Sequence, residues 1–303
     1  MQSTDQLLMI RPVQFGFNRE TAVNNSFQAD PGKDIQEAAL QEFNGLAGLL
    51  EENGVTVTVI PDTAEPNTPD SVFPNNWISF HGNGLVMIYP MFASNRRLER
   101  KGHVLAILEK KFTIKEIIDL SHYETEGLFL EGTGSMVFDR ANRIVYACLS
   151  ARTSPLVLSE CSRLLHYTPV VFHASDESGF PVYHTNVMMC IADRFAVICL
   201  DTVKDEHERV CLIDSIRTSG KEIIEISFEQ MNAFAGNMLQ VKNRSGESLL
   251  VMSSQAYRSL STDQVFRIEK HVRILHSPLK TIESAGGGSA RCMLADIFNE
   301  PLK

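Results

Sequence analysis

Near the end of the chain a triple glycine runs into a cysteine, in Glu283-Ser-Ala-Gly-Gly-Gly-Ser-Ala-Arg-Cys292-Met-Leu-Ala. Glycine lacks a Cβ, so Gly286, Gly287 and Gly288 admit backbone angles closed to other residues and let another group come close. A cysteine at the mouth of such a loop is placed as a nucleophile would be. The same letters also describe a turn before a buried cysteine, because free cysteine is among the most buried residue types. Only the thiolate is reactive, so chemistry at Cys292 requires a base or a positive charge beside it. His184 can carry the thiol's proton to a leaving amine and then activate water. Glu131 can accept hydrogen bonds from the NH groups of a planar substrate or orient an imidazole. Arg97 and Arg152 stand 55 residues apart, each just after an expected strand, and a guanidinium fork suits a substrate carboxylate.

A repeat brings these distant residues together. From residue 76 onward a unit recurs: a polar residue leads a strand, a tight turn follows, then a return strand, a helix and a third strand. In the first copy Asn76 leads Trp77-Ile-Ser-Phe80, Gly82-Asn83-Gly84 turns the chain, Leu85–Tyr89 returns, and helix 96–111 and strand 114–120 follow. Glu131, His184, Asn237 and Cys292 lead the later copies, at intervals of 55, 53, 53 and 55 residues. The fifth copy stops after its first strand. Strand 7–13, helix 33–53 and strand 55–60 at the other end supply its missing parts. The first strand is therefore expected to pair with the last, closing five ββαβ units into a ring without exposed sheet edges. One domain spans 1–303 on this reading. In a ring of equivalent units, equivalent positions converge on the axis, so Asn76, Glu131, His184, Asn237 and Cys292 should share one pocket.

Composition sets outer bounds. With 44% hydrophobic and 21% charged residues among 303, the chain reads as a globular protein with a large core. A formal charge of −9 and the lack of any basic run argue against a nucleic-acid partner. Apolar runs are strand-length, so no membrane span is expected, and no signal peptide is evident. The six cysteines form no Cys-x-x-Cys pair and have no histidine partner at zinc spacing. A reducing cytoplasm fits them.

The chain resembles the guanidino-group-modifying superfamily, the five-bladed α/β-propeller (pentein) enzymes, which include arginine deiminases, dimethylargininases, amidinotransferases and arginine dihydrolases. The matching stretches are Asp70-Ser-Val-Phe-Pro-Asn-Asn76-Trp, Leu130-Glu131-Gly-Thr-Gly, Leu149-Ser-Ala-Arg152-Thr, His184-Thr-Asn186 and Gly286-Gly-Gly-Ser-Ala-Arg-Cys292. The likeness is greatest to the citrulline-utilisation hydrolase type. It implies Cys292 as nucleophile, His184 as general acid/base and Glu131 as the partner of both the substrate and the histidine. It also implies a substrate-binding set of Asn76, Asn186, Arg152, Arg97, Asn237 and Asp70, with neither metal nor organic cofactor. Deiminases carry aspartate where this chain has Asn76, and often where it has Asn186. An asparagine is neutral and can donate as well as accept, so the site has less reason to prefer a cation. Hydrolysis at a ureido or guanidino carbon is the expectation, with citrulline or an arginine relative as the small-molecule substrate. An amidinotransferase shares the first half-reaction and stays open, as does a homo-oligomer. A pentein-type binding protein without chemistry is the reading from another class. The cysteine, histidine and glutamate at matched positions speak against it, and the five-fold register disfavours a papain-like protease.

Overall fold

The computed structural model describes residues 1–32 and 34–302. Lys33, the first residue of the expected helix 33–53, and Lys303 lie outside the described residues. The chain opens with strand β1 (Gln6–Arg11), a short helix α1 (Arg19–Ala22), the long helix α2 (Gln36–Glu52) and strand β2 (Thr56–Pro61). Next come β3 (Ile78–His81), β4 (Leu85–Ile88), α3 (Gly102–Glu109) and β5 (Glu116–Asp119). The second unit begins with a single helical turn, α4 (Gly132–Ser135), followed by β6 (Val137–Asp139), β7 (Ile144–Cys148), α5 (Pro155–Leu165) and β8 (Thr168–Phe172). The third repeats this with α6 (Thr185–Met188), β9 (Met189–Ile191), β10 (Phe195–Ile198), α7 (Glu206–Thr218) and β11 (Glu222–Glu225). The fourth holds α8 (Phe228–Asn232), β12 (Leu239–Lys242), β13 (Ser248–Ser253), α9 (Ser254–Ser259), α10 (Thr262–Glu269) and β14 (Arg273–Ser277). Helix α11 (Lys280–Gly286) and strand β15 (Ala295–Asp296) follow.

The described residues form five three-stranded sheets, all of one pattern. In each, the first strand is antiparallel to the second, and the second is parallel to the third across a helical crossover. The fifth sheet is assembled from both ends of the chain. Strand β15 lies antiparallel to β1, with Leu7 opposite Asp296 and Leu8 opposite Ala295, and β1 is parallel to β2 across α2. The strand pair that the repeat demanded is therefore present.

Burial follows the order of strands within a unit. First strands such as β3 and β9 are buried on both faces, whereas third strands such as β5 and β11 expose half or more of their side chains. First strands of neighbouring units lie against one another, β15 by β3 and β9 by both β6 and β12. Helices pack outside them by their apolar stripes. In α5, Pro155 occupies the first turn and Val157, Leu158, Cys161 and Leu165 are buried, the spacing of one helical face. In α10 a capping box of Ser261 and Gln264 fixes the start, satisfying two otherwise orphaned amides. No helix among the described residues is long and apolar enough to cross a membrane.

Two local expectations need correcting. Segment 96–111 is not one helix: a 3-10 turn (Asn95–Glu99) precedes α3, and Arg100 between them has non-helical angles. The turn is bent inward so that Arg96 and Glu99 are buried. Cys292 does not open a strand either; it sits in a 3-10 turn (Ala290–Met293) just before β15.

Candidate active site

Four of the five leading residues occupy, or directly cap, a short helical turn at the head of their unit. Asn76 ends the 3-10 turn Pro74–Asn76, Glu131 and His184 precede α4 and α6, and Cys292 lies in the turn before β15. These turns abut one another. A Cβ on Gly134 would strike the Asn76 amide and the His184 ring, and one on Gly132 would strike the carbonyls of Asn75 and Asn76. Glycine is required there because neighbouring units meet within van der Waals distance. Gly286 and Gly288 likewise lie flat against the Phe73 ring, and Gly287 ends α11 with φ +65°, a left-handed angle that glycine adopts freely.

Cys292 is 4% exposed. Its Sγ receives Nδ2 of Asn237 at 3.2 Å and Nδ2 of Asn186 at 3.4 Å. Asn237 is itself pinned, donating to the Asn186 carbonyl at 3.0 Å and accepting from the Arg291 amide at 3.0 Å. Two side-chain amides thus face one sulfur. Burial pushes the thiols of Cys148 and Cys199 up to about 11 and those of Cys161 and Cys190 up to about 12.

Glu131 is fully buried, with its Oε2 2.8 Å from Nε2 of His184. Its Oε1 accepts the Phe92 amide at 2.9 Å. Burial raises the carboxyl's pKa, but Arg152, the histidine bond and Arg96 outweigh it and hold it well below the usual carboxylate range. The His184 imidazole is lowered as well: burial takes it down to about 4, opposed by Glu131 and reinforced by Arg152 and Arg96. An ionised carboxylate thus orients a neutral imidazole, which is a base ready to accept a proton. Glu131 is not among the residues lining the cavity that holds His184 and Cys292.

Asp70, Asn76, Arg96, Arg152, His184 and Cys292 line a common cavity of about 10 Å³. Arg152 is 2% exposed, lies over the Tyr183 ring at 4.9 Å and reaches Glu131 at 3.5 Å. Arg97 is not part of this set. It is partly exposed, donates to the carbonyls of Met91 and Phe92, and stacks on Phe129. Its neighbour Arg96 takes the place instead, donating to Asn76 Oδ1 at 2.8 Å and pairing with both oxygens of Glu99. A 3-10 turn advances 120° per residue, so adjacent side chains point to different sides and sequence spacing alone does not choose between Arg96 and Arg97. Burial raises Asp70 above the usual carboxylate value despite Arg96.

Three buried polar atoms here lack any protein partner: Nδ2 of Asn76, Oδ1 of Asn186 and Oδ1 of Asp70. Buried polar groups are nearly always bonded, so the open donor of Asn76 and the open acceptor of Asp70, both on residues lining the cavity, suit a polar ligand.

A family model described as N,N dimethylarginine dimethylhydrolase, eukaryotic, matches residues 11–299. The chain belongs to this dimethylarginine dimethylhydrolase family. No curated protein matches it in sequence. Among solved structures, apo ArgZ, an arginine dihydrolase from the ornithine-ammonia cycle in cyanobacteria, superposes with a TM-score of 0.77 at 19% identity. That match covers 98% of this chain and 41% of ArgZ, so this member of the dimethylhydrolase family spans less than half of that longer protein. The N-terminal domain of ArgZ alone, bound to substrate, matches with a TM-score of 0.76 at 19% identity, covering 98% of this chain and 99% of that domain. A dimethylarginine dimethylaminohydrolase in adduct with S-methyl-L-thiocitrulline matches with a TM-score of 0.68 at 15% identity, covering 98% and 100%. These structures share the fold.

Proposed function

We propose that this chain hydrolyses a C–N bond at the planar carbon of a ureido or guanidino amino acid, through a covalent intermediate on Cys292. The observation that carries the reading is a buried thiol sharing one cavity with a neutral imidazole that an ionised carboxylate orients. Cys292 passes its proton to His184 and attacks the planar carbon. The imidazolium then protonates the departing nitrogen, the C–N bond breaks, and the carbon stays bonded to sulfur. Water, deprotonated by His184, attacks that carbon and expels the thiolate. Asn186 and Asn237 hold the sulfur, and Asp70, Asn76, Arg96 and Arg152 receive the substrate. We take the five sheets to close into one propeller, a single domain over 1–303, with the site at the meeting point of the unit heads. The fifth sheet, drawn from both chain ends, supports that closure.

The neutral Asn76 amide favours a ureido oxygen over a guanidinium, so citrulline is the expected substrate ahead of arginine and dimethylarginine. The test is a product assay for ammonia and ornithine over that panel, with and without an added amine acceptor. Citrulline should yield ornithine, ammonia and carbon dioxide, the carbamate freed from Cys292 by water losing CO2 to leave ornithine, and Cys292→Ser should abolish turnover while still binding substrate. Undiminished turnover by Cys292→Ser would sink the mechanism, and a new guanidino product from the acceptor would mark a transferase instead.

A further inference from the structure

The cavity over Cys292 holds about 10 Å³, room for roughly one water, so an amino-acid substrate reaches the thiol only when its cover moves. That cover is the segment from Asn18 to Gln28, which includes α1. It is tied down chiefly by hydrogen bonds: Asn18 and Thr21 to Asp70, Asn25 to the Gly287 carbonyl, and Gln28 to the Ala285 carbonyl. Its apolar anchorage is the ring of Phe27, which packs on Phe234 and Tyr183, whereas Val23 is 72% exposed.

The remaining tie is of a different kind. Oδ1 of Asn24 accepts from Nε of Arg152 at 2.9 Å and also from its Nη2. Those two donors form the edge of a guanidinium that a carboxylate occupies bidentately. Nη2 additionally donates to the Thr21 carbonyl at 2.8 Å, so the edge is fully taken by the cover itself. We propose that Asn24 is an internal stand-in for the substrate's carboxylate, and that its displacement from Arg152 makes the enzyme select substrates bearing one. The inference rests on the hydrolase reading above and adds a specificity-determining residue to it. A carboxylate is the stronger acceptor for a guanidinium, so it wins the exchange, whereas Asn24 returns to Arg152 once a substrate without one has entered. A side cavity of about 320 Å³, walled by Asn24, Arg152, Tyr183 and Phe180, receives the displaced side chain.

The experiment compares KM for citrulline with KM for 4-ureidobutylamine, the same chain lacking the carboxylate, in wild type, Asn24→Ala, Asn24→Asp and Gln28→Ala. Removing the stand-in should lower the citrulline KM about tenfold, the worth of roughly one hydrogen bond to a charged group. Asn24→Asp installs a true carboxylate and should raise it by about as much. The KM for 4-ureidobutylamine should move less than about twofold in both. Gln28→Ala loosens the cover away from Arg152 and should shift both substrates alike. The assignment is overturned if the Asn24 variants move the two substrates by the same factor, or move neither. Should wild type release ammonia from no ureido or guanidino compound, the hydrolase reading fails first and takes this inference with it.

Discussion

Asn76 shows how one side chain's bonding decides what it offers a substrate. Arg96 donates to its Oδ1 at 2.8 Å, which fixes the orientation of the amide and turns Nδ2 to the cavity with no partner of its own. A bare donor meets a ureido oxygen well and a guanidinium, which only donates, badly. In Asn76→Asp the Arg96-bound oxygen is kept and the cavity-facing group becomes an acceptor. The ratio of kcat/KM for arginine to that for citrulline should rise by at least about tenfold, since a buried mismatched polar pair costs on the order of 1–3 kcal/mol. An unchanged ratio would show that selection between the two lies elsewhere. The same side chain illustrates what letters can and cannot convey. That Asn76 occupies a repeat position was legible from spacing, as were Glu131, His184, Asn237 and Cys292. That its Nδ2 is free depends on Arg96, whose place in a 3-10 turn no spacing separates from that of Arg97.

At the scale of elements, the short turns heading the units do the positioning. They are too brief to show helical periodicity, so a reading by period sees only the strands behind them. The glycines of α4 show in sequence only within the stretch Leu130-Glu131-Gly-Thr-Gly, not as a contact with named partners. Gly134→Ala tests the contact, because its Cβ would strike both the Asn76 amide and the His184 ring. A displacement of about 1 Å at reacting groups costs on the order of a hundredfold, so kcat should fall by at least that much. Circular dichroism should still report the native fold. Retained kcat would mean that the unit heads are not held in register by this contact. The cover from Asn18 to Gln28 is the element that sequence reading missed. It lies outside the repeat, it carries little apolar pattern, and its partners at Asp70, Arg152 and Gly287 are brought near only by the assembled fold.

The five sheets form one molecule partly through buried ion pairs that cross unit boundaries. Lys101 of the first unit reaches Asp62 beyond β2 at 2.7 Å, Arg140 of the second reaches Asp296 of β15 at 2.9 Å, and Lys221 of the third reaches Asp139 of β6 at 2.6 Å. The last pair is nearly inaccessible, with side chains 1% and 0% exposed, and Asn142 also donates to Asp139. Desolvating two charges is costly, so such a pair adds little over an apolar replacement, but removing one partner strands the other. Lys221→Met should therefore destabilise the protein by roughly 3 to 5 kcal/mol, read as a drop in the urea midpoint. Lys221→Met with Asp139→Leu removes both charges and should be less destabilised than Lys221→Met alone. If the two substitutions simply added, the pair would not couple the second and third units. The boundary between them would then be held by the apolar contacts that run from Tyr146 and Phe172 to Val197 and Leu212. The sign of the coupling energy thus separates units keyed together by charge from units held by their apolar contacts alone.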